Sequence, residues 1–403
     1  MKIVKAFKYR LKTDAKIELK LNSYSGCTRF VWNKFLSLNL DRLNNKTKMF
    51  WYNEMSFWLT LWKSSEEYGF LSDCPSQVLQ QKLKDLEKAF KDGFNKKQPL
   101  KRLPKWRKKG VHNSFRYPQG FKINDNRIFL PKIGWVHFFN SREIVGIAKN
   151  VTVTKNGDNW YISIQTEQEV VQPVHKSTNQ VGIDLGITKF AALSNGHMYD
   201  PIRSFANNQD KLIKTQRKLK AKKKFSENWQ KVVKKTARIH TKISNIRKDY
   251  LHKLSTEICK NHAIIFVEDL KVANMSKSAK GDLDNPGTNV KAKSGLNRSI
   301  LDQGWGDFRR QLTYKSLWLG GKVVAVPAHY TSQTCSACGY VSKENRINQE
   351  RFCCLTCNHK ENADINAAKN ILAAGQVVLA CGETALVDSL KQELRETSNL
   401  LPA

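Results

Sequence analysis

The chain has 403 residues, 40% of them hydrophobic, which is enough to bury the cores of two or three compact domains. Its 69 lysines and arginines face 35 acids, and the resulting charge of +34 repels itself unless a polyanion neutralises it, so nucleic acid is the expected partner. No run of 18 apolar residues offers a transmembrane helix, and charge spread along the whole chain makes a membrane surface the weaker alternative.

Met1 to Lys8 lack the apolar core of a secretory signal, so a cytoplasmic protein is expected. Residues 5–11 alternate as a strand does. From about 15 to 97 the pattern is helical, with Phe30, Val31, Phe35 and Leu36, then Leu79, Leu83, Leu86 and Phe90, at helix spacing. A basic loop over 98–110 carries Lys105, Arg107, Lys108 and Lys109. Strand-like segments follow to about 170. The clearest is a hairpin around Asn156-Gly157, a strong turn signal. Strand 5–11 is expected to join this second β region, which makes the helical block an insertion in a small barrel.

Residues 172–180 read as a linker. Val181 to Leu193 then spell a buried strand, a turn and a second strand, and 208–260 a long basic helical stretch. Residues 271–298, rich in Lys, Ser, Gly, Asp and Asn, are expected to be a mobile loop. The tail beyond about 375 shows no clear role.

Three acids stand at expensive places. Asp184 ends an apolar strand, Glu268 ends another, and Asp364 opens an apolar-periodic helix. Magnesium would compensate such charges, because it prefers carboxylate oxygen and keeps waters. Phosphodiester hydrolysis uses two metals about 3.5–4 Å apart, and carboxylates must bridge and flank them. Taken singly, each acid also fits an ordinary α/β domain: Asp184 before a glycine suits a turn, and Asp269 beside Glu268 competes for the inward position.

Cys335-Ser-Ala-Cys338 and Cys354-Leu-Thr-Cys357 are separated by fifteen residues, the spacing of a four-thiolate zinc site. A closed shell of that kind is structural. Cys353 is a competitor one residue too far from Cys357. Cys27, Cys74 and Cys259 stand alone in apolar contexts, as buried inert thiols do.

These motifs together resemble one family. Val181-Gly-Ile-Asp-Leu-Gly, Phe266-Val-Glu-Asp-Leu, Thr331-Ser-Gln-Thr-Cys-Ser-Ala-Cys-Gly and Asp364-Ile-Asn-Ala-Ala-Lys-Asn-Ile occur in the order seen in TnpB proteins, relatives of type V CRISPR effectors. Arg29-Phe-Val-Trp-Asn and the segment from Trp305 add to the match, which runs from about residue 3 to 372. The resemblance implies a multidomain α+β protein: a RuvC/RNase H-like nuclease with an inserted zinc ribbon, preceded by a wedge-like β-barrel carrying a helical recognition domain. It implies boundaries at 1–14 and 111–175 for the barrel and 15–110 for the helical domain. The nuclease would occupy 176–330 and 359–375, the ribbon 331–358, and a flexible tail 376–403.

The resemblance also implies a function. A guide RNA derived from the transposon end would pair with one strand of double-stranded DNA, and the protein would read only a short adjacent motif. Asp184, Glu268 and Asp364 match the family's catalytic acids and would hold two Mg²⁺. Cys335, Cys338, Cys354 and Cys357 would hold one Zn²⁺. Tyr52, Ser76, Gln77 and Gln80 sit where relatives contact the adjacent motif, and Gln80 has the shape to pair with adenine. Lys105, Arg107, Lys108 and Lys109, with the basic residues of 211–248, are candidates for phosphate contact. Two positions depart from the family: Asn362 replaces a frequent acid, and Asn358 replaces the glycine after the fourth cysteine, where asparagine tolerates a left-handed backbone. Rival readings are a nuclease-dead RNA-guided repressor, a DNA-joining transposase, and a zinc protein that only binds nucleic acid. The third leaves the carboxylates unexplained.

Overall fold

The computed structural model describes residues 1–98, 100–327 and 330–380. They fall into two compact units that divide after Val170.

The first unit begins with β1 (Lys2–Lys12), whose alternation buries Ile3, Phe7, Tyr9 and Leu11. Asp14 ends the strand and caps α1 (Ala15–Asn44), its carboxylate accepting from the Ile17 N–H at 2.7 Å. Helices α2 (Tyr52–Ser64) and α3 (Ser76–Phe94) follow, α3 starting just after Pro75. The expected helical block is therefore three helices, with Val78, Leu79, Leu83, Leu86 and Phe90 on the buried stripe of α3. Strands β2 (Ser114–Tyr117), β3 (Lys122–Asn124), β4 (Arg127–Leu130), β5 (Gly134–Phe138), β6 (Ile147–Asn156) and β7 (Asn159–Glu169) complete the unit.

These strands form a seven-stranded sheet in the order β2-β6-β7-β1-β5-β4-β3. β1 lies antiparallel to β7, with Phe7 opposite Ile164, so the first strand does join the later β region. The β6–β7 turn falls on Gly157 and Asp158, with Gly157 at φ +59°. The basic loop after α3 is fastened to α1. The Asn33 side chain bonds both the N–H and the C=O of Arg107, and the Trp32 indole donates to the Lys105 carbonyl.

The second unit holds β8 (Gln180–Asp184), β9 (Ala191–Leu193), β10 (Met198–Tyr199), α4 (Gln209–Lys220) and α5 (Glu227–Asn261). Next come β11 (Ile264–Glu268), α6 (Val272–Met275), α7 (Val290–Gln303), α8 (Trp305–Trp318) and β12 (Lys322–Val326). A two-stranded ribbon, β13 (Arg351–Cys353) with β14 (Lys360–Asn362), leads into α9 (Ala363–Ala380). The main sheet runs β10-β9-β8-β11-β12, with β8, β11 and β12 parallel. Its parallel strands are apolar on both faces because both are covered. Ile265 and Val267 pack with Leu251, Phe308 and Leu312 of α5 and α8, while Phe266, Val324 and Val326 pack with Ile371 of α9.

Two expectations change here. The segment 271–298 is not one long loop: α6 and α7 occupy its two ends, and α7 runs on to bury Ile300. Leu296 and Ile300 stand at helix spacing, hidden by the surrounding Lys, Ser and Gly. The last helix also continues to Ala380 rather than ending at 375, and the rest of the expected tail lies outside the described residues.

Candidate functional site

β8 and β11 run side by side in the same direction, with Ile183 opposite Val267. Each ends one residue later in an acid. Asp184 and Glu268 thus emerge together at adjacent carboxyl ends, where open α/β sheets bind ligands. The third acid arrives on α9. A Cβ at Gly182 would lie 2.1 Å from the Ala368 carbonyl, and one at Gly375 2.0 Å from the Phe266 ring. Only glycines let α9 seat this closely on β8 and β11, and that seating carries Asp364, the second residue of α9, to the same cleft. Asn362 shapes the turn before it by accepting from the N–H groups of Asp364 (3.0 Å) and Ile365 (3.3 Å).

The cleft holds about 320 Å³, and Asp184, Glu268 and Asp364 all line it, with Thr331, Arg346 and Gln349. The Thr331 hydroxyl donates to Glu268 Oε1 at 2.8 Å. Arg346 donates to Asp364 Oδ1 at 3.1 Å and to the Gln349 carbonyl at 3.0 Å, and the Gln349 amide donates to Thr188 Oγ1 at 2.8 Å. Asp269 is engaged elsewhere. It pairs with Arg309 at 2.7 Å and with Lys271, and the Lys271 hydrogen bond does most to hold its carboxyl below the usual range.

Electrostatics mark this cleft as a place that favours cations. Burial, then the nearby charges of Glu268 and Asp364, push Asp184 up to about 7. Burial raises Glu268 against the opposing Thr331 hydrogen bond, and raises Asp364 against the pull of Arg346. Three carboxylates that resist ionising together would be relieved by positive charge placed between them.

The four cysteines converge separately. Their sulfurs all lie within 4.8 Å of one another, with Cys335 to Cys357 at 3.7 Å and Cys338 to Cys354 at 3.5 Å. A tetrahedron with metal–sulfur bonds of about 2.3 Å has edges of about 3.8 Å, so the set fits zinc. Each pair ends in a matching knuckle. Gly339 (φ +76°) donates to the Cys335 carbonyl at 2.9 Å, and Asn358 (φ +55°) donates to the Cys354 carbonyl at 3.0 Å. Cys353 is not one of the four. Among the described residues, no other group of His, Cys, Asp and Glu is so tightly set. The three cleft carboxylates are not gathered so tightly, and Arg346 holds one of them, Asp364.

The other candidates lie in the first unit. Tyr52 opens α2, with the Lys84 ammonium 5.0 Å from its ring centre. Ser76 opens α3 and accepts from Lys63 at 2.8 Å, with half-buried Gln77 and Gln80 in the same first turns. Lys105, Lys108 and Lys109 are exposed. Arg107 differs, since its guanidinium lies 3.9 Å from the Trp32 ring centre and burial depresses its pKa, so part of its role is to hold the loop.

Sequence reasoning missed Arg346 and Gln349 and gave Thr331 no role. Thr331 at least stood in a quoted motif. Arg346 is a single arginine between the cysteine pairs, and nothing local separates it from the other basic residues.

Comparison with known proteins follows the same lines. A family model described as "Probable transposase" matches residues 163–279, and "Cas12f1-like, TNB domain" matches 305–371. A "Helix-turn-helix domain" matches 1–48, although those residues form one strand and one long helix. The chain is 52% identical to the Escherichia coli (strain K12) protein named "Putative RNA-guided DNA endonuclease InsQ", over 98% of each chain. A Streptomyces pristinaespiralis protein that also bears the name RNA-guided DNA endonuclease is 33% identical, over 94% of this chain and 92% of its own. A solved mini-RNA-guided endonuclease, CRISPR-Cas_phi3, is similar over 93% of this chain and 92% of its own, at 12% identity and a TM-score of 0.46.

Proposed function

The chain belongs to the TnpB family, and from that premise we propose that it is an RNA-guided DNA endonuclease whose cutting site is the cleft of Asp184, Glu268 and Asp364. The observation that carries this reading is the convergence of those acids, from two strand ends and one helix start, into one cleft. Mg²⁺ bound there would activate the attacking water and steady the leaving oxygen of a DNA phosphodiester. The chain's own groups would hold that arrangement: Thr331 orients Glu268, and Arg346 fixes Asp364.

We read the five-stranded sheet as the core of a RuvC/RNase H-like nuclease interrupted by a zinc ribbon. The four thiolates hold Zn²⁺ and have no catalytic part. The seven-stranded sheet is read as the wedge-like barrel, with α1–α3 as the inserted recognition domain. Guide RNA made from the transposon end pairs with the target strand, so most sequence specificity comes from base pairing rather than from side chains. Tyr52, Ser76, Gln77 and Gln80 are assigned to the short motif beside the target. No helix among the described residues is long and apolar enough to cross a membrane.

A DNA-joining transposase is the second reading, and the "Probable transposase" description favours it. One preparation separates the two. RNA co-purified with the protein is sequenced, and the complex is then given plasmids randomised beside a matching target. A discrete RNA, with cut plasmids sharing a short motif, is expected. Heterogeneous RNA with joined DNA products would favour the transposase.

A further inference from the structure

The turn between α4 and α5 carries a feature that neither the cleft nor the cysteines use. Phe225 sits there with φ +68°, a backbone that a bulky side chain adopts only at a cost. The cost is not relieved by burial, because Phe225 is 78% exposed. Three local hydrogen bonds hold the conformation. Ser226 caps α5 by accepting from the Trp229 N–H at 3.2 Å and donates to the Lys223 carbonyl at 2.8 Å, and Gln230 donates to the Phe225 carbonyl at 3.1 Å. The turn thus presents an aromatic ring outward, braced from behind by Trp229 at 5.5 Å between ring centres.

The chemistry around this ring is one-sided. Between residues 211 and 235 there are eleven lysines and arginines and a single acid, Glu227. Lys222, Lys223 and Lys224 directly precede Phe225, and all three are exposed. An apolar protein partner would have to bury this charge without compensation. A polyanion compensates it, and an exposed ring between lysines matches the way unpaired bases are bound: phosphates on the cations, a base on the aromatic face. Duplex keeps its base faces stacked inside, so the occupant must be a loop, bulge or end.

The geometry points to Phe225, backed by Trp229 and flanked by Lys222–Lys224, as a stacking platform for an unpaired base of the protein's guide RNA. The assignment rests on the RNA-guided reading above. RNA is the occupant because folded RNA supplies unstacked bases in its loops and bulges, and the complex carries it before any DNA is opened.

The test uses the complete ribonucleoprotein. Ultraviolet crosslinking followed by mass spectrometry of the co-purified complex is expected to join Phe225 or Trp229 to an RNA base. The same RNA, transcribed in vitro, should bind Phe225→Ala and Phe225→Leu about ten-fold more weakly than the parent, whereas Phe225→Trp should retain most of the affinity. Phe225→Gly supplies an independent check, because glycine tolerates the left-handed backbone. Its Tm should match or exceed that of the parent while its RNA affinity falls as far as that of Phe225→Ala. Unchanged affinity in Phe225→Ala, full rescue by leucine, or a crosslink found only to a DNA strand would each overturn the platform and leave the nuclease reading standing. Failure of any discrete RNA to co-purify would instead overturn the RNA-guided reading itself.

Discussion

Arg346 reaches Asp364 across 3.1 Å, which places a positive side chain from between the two cysteine pairs against one of the three acids of the cleft. It also contributes to holding down the pKa of Asp184. Removing it should free the Asp364 carboxylate to turn from the cleft, leaving the acids less well set to hold a cation. Arg346→Ala is expected to need about ten-fold more Mg²⁺ for half-maximal cleavage at pH 7, with Arg346→Lys in between. An unchanged magnesium titration would show that the contact does not matter to the site.

Asp184→Ala should abolish cleavage while leaving RNA-guided DNA binding within about two-fold, since its carboxylate faces the cleft where the proposed metals would sit. Paired gel-shift and cleavage assays on one preparation check this. Loss of both activities together would assign Asp184 a structural role.

The same residue predicts a pH dependence. Its carboxyl rises from 3.8 to about 7 in the fold. A raised carboxylate pKa costs stability: nothing below about pH 4, where folded and unfolded chains are both protonated, and increasingly more up to about 7. The metal-free protein should therefore lose Tm across pH 4–7 through this group, and Asp184→Asn should flatten that part of the curve. Magnesium affinity should rise over the same interval and level off above about pH 7. Calorimetry with and without the cation follows both trends.

Gly182→Ala tests the seat of α9. Its new methyl would meet the Ala368 carbonyl at 2.1 Å, so helix and strand must part. A loss of about 1–3 kcal/mol is expected, with cleavage falling further than stability because Asp364 moves. Gly306→Ala in α8, where nothing lies within 4 Å, is the control and should be neutral or slightly stabilising. Equal effects of the two substitutions would refute the close-packing argument.

Cys335→Ser should lower the bound zinc below one per chain and reduce cleavage through misfolding near Arg346. Zinc measured by mass spectrometry at an unaltered one per chain would refute the four-thiolate assignment.

Much of the site was legible because its chemistry sits on regular elements or fixed spacings. Asp184 and Glu268 end apolar strands, Asp364 opens a periodic helix, and the cysteines keep their intervals. Asn358 was legible too, since its left-handed backbone follows from the second knuckle repeating the first. Arg346 and Gln349 were not, because they project from irregular chain where no periodicity says which way a side chain points. Helix α7 was hidden for a different reason: polar, glycine-containing composition outweighed a single helix-spaced apolar pair, Leu296 and Ile300, and only burial of Ile300 in the folded protein reveals the helix.

The close seating of α9 has a consequence for how the protein is made. Synthesis runs from the amino terminus, so Glu268 leaves the ribosome 96 residues before Asp364 does, and Asp184 180 residues before. A nascent chain can already contain all of Met1–Val170 while still lacking the third acid. On the reading proposed above, the cutting site therefore stays incomplete until α9 has been made and seated, and a product truncated before that helix would lack its third acid.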